Sequence, residues 1–194
     1  MDRLKLLPPE QVNAIEGFVE RRLKEREERR LVDWYKPGAE STLPPDILGA
    51  TAETVHLGPP HEPKEESIRA FKQIEHELRK QLVHIRHEHN KHEPEYFAAV
   101  AHLSNTDLVS FTSADFEQVR VGISAYGIHI FGKLRLPAMP DSGPAYVHFR
   151  IFSTGPDDQA TLHCIHTEER ELPGGGFSYR AIFTKNDPLE WFDT

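Results

Sequence analysis

Four histidines fall within nine residues of this chain: His84, His87, His89 and His92. Imidazole nitrogens at such spacing can share a zinc-like ion, and His89 and His92 sit three apart on one helical face, with Glu88 four before His92. Two ligands do not make a site and no third is identifiable, so neither a metal nor another cofactor is expected. Cys164 and His166 are the residue types of a thiolate and its base. Two apart on a strand, their side chains lie about 7 Å from each other, too far for a hydrogen bond. A lone cysteine is among the most buried residue types, so Cys164 reads as a core residue. No nucleophile elbow, phosphate loop, dinucleotide fingerprint or H-E-x-x-H pattern occurs.

A third grouping offers more. Arg120, Lys133, Arg135, Arg150 and Arg180 fall at one phase of a strand-like alternation, joined by His129, His148 and His163. Phe131, Tyr146, Phe152, Ile165 and Ile182 interleave with them, and no Asp or Glu shares that phase within the strands. From Glu93 to Thr194 the chain has 7 Lys+Arg against 14 Asp+Glu, so a mostly acidic region gathers its bases on one side. Cationic and aromatic side chains on one face can hold an acidic peptide, a small anion or a single nucleic-acid strand. The candidate binding residues are Arg120, His129, Lys133, Arg135, Tyr146, His148, Arg150 and Arg180. Charge reversal at Arg150 is then expected to cost binding and little stability. The competing expectation is that glutamates of the N-terminal helices cover the face, making its cations ordinary ion-pair partners.

Five strands would position this face: Phe116–Ile123, Ile128–Leu136, Tyr146–Phe152, Thr161–Thr167 and Phe177–Phe183. Their opposite side carries Val119, Val121, Ile130, Leu134, Val147, Phe149, Ile151 and Phe183 as the core. The connections Pro137–Pro144, Gly155–Gln159 and Pro173–Gly176 are too short for crossover helices, so neighbouring strands must be antiparallel. Before them, Pro63–Lys91 is the strongest helix, with Ile68, Phe71, Ile74, Leu78, Leu82 and Ile85 at 3–4 spacing. A short helix is expected over Pro94–Leu103.

Upstream, Pro8-Pro9 opens a helix marked by Val12, Ile15, Val19 and Leu23, followed by the wholly charged run Lys24–Arg30. Lys36–Glu62, with its prolines and little periodicity, reads as a linker or an extended strap, with proteolysis expected to cut there first. Asp187-Pro188-Leu189-Glu190-Trp191-Phe192-Asp193 is expected to tie its aromatics into the core. The alternative is an exposed acidic-aromatic peptide that docks on a partner.

The expected fold is α+β: a five-stranded antiparallel β-meander with a long helix on one face, preceded by an N-terminal helix and a Pro-rich linker. Residues 1–61 form the arm and linker, and 62–194 the α+β domain. Helix then meander is similar in element order to the cystatin-like and NTF2-like arrangements, a likeness that implies nothing about function. At 194 residues, 38% hydrophobic, with mean hydropathy −0.56, the chain suits one domain with an appendage. Net charge −8 argues against duplex nucleic acid. One cysteine, no membrane-length apolar run and no apolar signal core at Met1–Leu7 point to an intracellular protein. The functional expectation is a non-enzymatic binding or adaptor module whose basic-aromatic face holds an acidic protein or anionic ligand. The alternative is a small-molecule-binding protein or enzyme, with a pocket on the concave side of the sheet lined by His129, His148 and Arg150.

Overall fold

In a computed structural model, residues 50–52, 55–154 and 159–193 are described. The expected N-terminal helix, the run Lys24–Arg30 and the linker as far as residue 49 lie outside the described residues. Helix α1 (Glu65–His92) begins with Glu65 and Glu66 and ends with His89, Lys91 and His92, charges that suit the two ends of its dipole. Phe71, Ile74, Leu78 and Leu82 form its buried stripe. The stripe ends in a cation: the Arg86 guanidinium donates to the carbonyls of Val100, Ala101 and Leu103 and to Asn105 Oδ1. Those acceptors lie at and just past the end of a 3-10 helix, Pro94–Val100, and Asn105 opens the one-turn helix α2 (Asn105–Leu108). Arg86 thereby fastens the reversal of the chain at Pro94.

Four strands follow, β1 (Phe116–Ser124), β2 (Gly127–Arg135), β3 (Tyr146–Ser153) and β4 (Thr161–Ile165), antiparallel and in sequence order. One face packs on α1. Phe71 lies 5.3 Å from Phe116 and 5.6 Å from Phe149 between ring centroids, and each fully buried side chain of this size contributes roughly 1.5–3 kcal/mol. Gly132 faces Phe149 across the β2–β3 ladder, and a Cβ there would lie 2.2 Å from the Phe149 ring. Only glycine lets that ring lie over the strand.

The expected fifth strand divides differently. Phe177–Arg180 (β6) pairs with Glu168–Glu171 (β5) in a separate two-stranded hairpin, and only Phe183 returns to the main sheet, as a bridge to Tyr146. Glu168–Glu171 reads Glu-Glu-Arg-Glu, which has no apolar alternation to betray a strand. Gly175 and Gly176, with φ of 83° and 89°, make the turn that closes the hairpin. One residue of this stretch is also corrected: Ile182, expected on the cationic side, joins the main core together with Ala181 and Phe183, and Phe183 also stacks on His148 at 4.3 Å.

A second phase correction lies in β4. Its register shifts between Arg150 and Ile151, so one extra residue enters the strand. Ile165 therefore sits opposite Phe149 on the core side, and Cys164 sits opposite Arg150 on the cationic side.

Part of the expected linker is a strap. Leu57 bridges to Gly122 and His61 to Val119, extending the sheet at its β1 edge. Gly49–Thr194 forms a compact unit that includes this strap. Among the described residues, no helix is long and apolar enough to cross a membrane.

Candidate functional site: a cationic sheet face under a chain segment

Strand pairing sets the site. Arg120 lies opposite Phe131, Phe131 opposite Arg150 and Arg150 opposite Cys164, a row across all four strands. Beside it run Gln118, Lys133 and His148, and on the other side Gly122, His129 and Phe152. This face is covered. At Asp187 the chain turns back, the Asp187 carboxylate accepting from the Thr184 N–H at 2.6 Å and its hydroxyl at 2.8 Å. Residues 185–193 then cross the cationic face.

The cations hold that segment by its main chain. Lys133 Nζ donates to the carbonyls of Lys185 at 3.0 Å and Asp187 at 2.5 Å. Arg120 donates to the Leu189 carbonyl at 2.8 Å, and to the strap at Gly58 and Leu57. Arg150, only 2% exposed, donates to the Phe192 carbonyl at 3.1 Å and to the Asp193 carboxylate. Apolar contacts fill the spaces between. Trp191 and Phe192 each lie 5.1 Å from the Phe131 ring, the Arg150 guanidinium lies 4.2 Å from the Trp191 ring centre, and Leu189 completes a second small core. With Arg150 this deep, charge reversal there would cost stability, which corrects the expectation of a purely functional side chain.

The buried imidazoles are neutral. Arg150 Nη2 donates to His129 Nδ1 at 3.1 Å, which leaves the proton on Nε2, 2.9 Å from Ser124 Oγ. Burial, then the Arg150 charge, lowers the His129 pKa to about 4. Burial, then Lys133, lowers His148 to about 3. Burial pushes the Cys164 thiol up to about 12, against the pull of Arg150. Cys164 is thus not a thiolate at neutral pH, while the two imidazoles stay in the unprotonated form.

The other candidates stand apart. Arg135 pairs with Asp141 at 2.5 Å, and Tyr146 donates to Glu117 at 3.1 Å. Arg180, on the hairpin, pairs with Glu168 at 2.5 Å and Asp187 at 2.9 Å. The acids that meet these cations come from strands, loops and residues 187–193, among the described residues, rather than from α1. His148 and Arg180 share a cleft of about 420 Å³ between the hairpin and residues 187–192. His129 and Arg150 do not line it, so His129, His148 and Arg150 do not converge on one open pocket. His89 faces Glu93 at 3.3 Å and packs its ring at a tilt against Tyr96, and no metal-holding group of three His, Cys, Asp or Glu forms among the described residues.

Phe131, which alternation placed among the cations, is joined in the site by Leu189, Trp191 and Phe192, which alternation does not select. Their signal is the acidic-aromatic composition of residues 187–193 set against the basic-aromatic face. Comparison with family models, curated proteins and solved structures finds no match to this chain.

Proposed function

We propose that the chain is a non-enzymatic binding module whose sheet face holds an extended acidic-aromatic peptide, with residues 185–193 occupying that groove as an internal ligand. The observation that carries the reading is the use of Arg120, Lys133 and Arg150 to bind main-chain carbonyls while Phe131 receives Trp191 and Phe192. Carbonyl recognition accepts any extended chain, and the aromatic contacts select its side chains. A protein segment of similar chemistry would compete with the internal one. The tethered segment has an effective concentration on the order of 1 mM, so a free peptide of equal intrinsic affinity at about 10 μM would hold only about 1% of the sites. Binding in trans therefore requires a weakened or displaced internal segment.

The test uses the fluorescently labelled heptapeptide Asp-Pro-Leu-Glu-Trp-Phe-Asp and the full chain carrying Trp191→Ala with Asp193→Ala. Saturable binding to the double variant, at least tenfold tighter than to the native chain and lost with a scrambled peptide, is the expected result. A folded double variant that binds neither peptide would refute the groove. The alternative reading needs His129, His148 and Arg150 to line one pocket, and the cleft beside His148 is not lined by the other two.

A further inference from the structure

The hairpin β5–β6 has two unlike faces. Glu169 and Tyr179, paired across it, share the face on which Tyr179 packs against Tyr96 at 5.1 Å. Glu168, Arg170 and Arg180 lie on the other face and line the cleft of about 420 Å³ against residues 187–192. Arg180 bridges Glu168 on the hairpin and Asp187 on the segment, which ties the two walls together. Arg170 on one wall and Glu190 on the other also line the cleft, yet neither side chain has an ion pair or hydrogen bond among the described residues. The floor holds a third unmet group. His148 is 1% exposed, and its Nε2 has no hydrogen-bond partner among the described residues. A buried polar atom ordinarily finds a partner, and the cleft is the space that His148 lines.

We propose that this cleft binds a free α-amino acid with an amide side chain. Its carboxylate meets Arg170, its ammonium group meets Glu190, and its amide reaches the His148 Nε2. Three features select this class. The two unpaired charges have opposite signs and stand on facing walls, so a zwitterion satisfies both, whereas a simple anion or cation leaves one unmet. The cleft carries Glu168, Asp187 and Glu190 against Arg170 and Arg180, an excess of one negative charge that disfavours an acidic side chain. Burial, then Lys133, keeps the His148 ring neutral. A neutral imidazole presents a donor or an acceptor at Nε2 according to its tautomer, and an amide complements either. The volume falls within the roughly 300–1,000 Å³ of small-molecule sites. The site needs residues 187–192 on the sheet face but no peptide in trans, so either proposal can fail without the other.

L-Glutamine is the probe, followed by calorimetry and by the ring nitrogen shifts of His148 in the full chain. Saturable binding is expected, with L-norleucine, of equal length but without the amide, and L-glutamate each at least about fivefold weaker. Arg170→Gln and Glu190→Gln, both at exposed positions, should each weaken L-glutamine by about threefold or more. His148→Phe retains a stacked ring and should lower L-glutamine to the affinity of L-norleucine, with L-norleucine itself unchanged within about twofold. Absence of saturable L-glutamine binding to the native chain overturns the proposal. So does equal binding of L-glutamine and L-norleucine there, or a preference for L-glutamine that survives His148→Phe. Binding that neither Arg170→Gln nor Glu190→Gln weakens also overturns it, because the ligand would then sit elsewhere.

Discussion

His148 shows how burial turns a titratable residue into packing. It is 1% exposed and its ring lies nearly parallel to Phe183, while its Nε2 has no hydrogen-bond partner among the described residues. Its pKa near 3, and that of His129 near 4, compare with 6.5 for a free imidazole. Between these values an unfolded chain takes up protons that the folded chain refuses. The histidine contribution to folding stability should therefore be constant above about pH 7 and be lost progressively as pH drops from 6.5 toward 4. His148→Phe keeps the stack and removes one of the responsible groups, which also include His163, its pKa lowered first by burial. Thermal melts from pH 7 to pH 4 should show the variant losing less Tm than the native chain. Parallel curves would mean that the folded chain protonates His148 as readily as the unfolded one.

Elements in this protein are joined by single polar side chains at their seams. Arg86 is buried at the end of an otherwise apolar stripe and satisfies three carbonyls at the close of the 3-10 helix. Arg86→Met keeps most of the bulk and orphans those acceptors, so chemical denaturation should show a loss of about 3 kcal/mol. A loss under about 1 kcal/mol would mean that water replaces the guanidinium. The strap gives a second case. Its residues Leu57 and His61 extend the β1 edge, and Arg120 donates to the Leu57 and Gly58 carbonyls. A chain starting at residue 63 should thus melt several degrees below one starting at residue 50. Equal melting points would make the strap dispensable. Periodicity made α1 and β1–β3 legible because each has one apolar face with a fixed period. It could not reveal β5, whose four residues are charged, nor the extra residue in β4, which inverts the phase of everything after it. An extended strap is one reading of the proline-rich stretch, but its pairing was not legible for a related reason: two isolated bridges need no repeating pattern.

At the scale of the molecule, the sheet has a helix on one side and its own chain on the other. Every residue of β3 but Phe152 is buried, although half of them carry the polar and aromatic types that suggested an open face. Alternation separated the two faces at Arg120, Lys133 and Arg150, but it contains no information about what lies on a face. That depended on contacts made by residues 185–193, forty or more positions away from Arg150 in the case of Phe192 and Asp193. The peptide-groove proposal needs this segment to leave without unfolding the sheet. Its attachment to the floor is mostly hydrogen bonds from cations to carbonyls plus the Trp191 and Phe192 contacts, whereas α1 and the sheet share the larger core. The smaller cluster should fail first. Trp191 reports on it directly, and Trp34→Phe leaves Trp191 as the sole tryptophan. In urea, the fluorescence of that variant should change at a lower concentration than its far-ultraviolet circular dichroism, with the separation widening when the competing heptapeptide is added at millimolar concentration and its own fluorescence is subtracted. Coincident transitions at every peptide concentration would make residues 185–193 part of a single cooperative core, and the groove would then have no free state for a partner to enter.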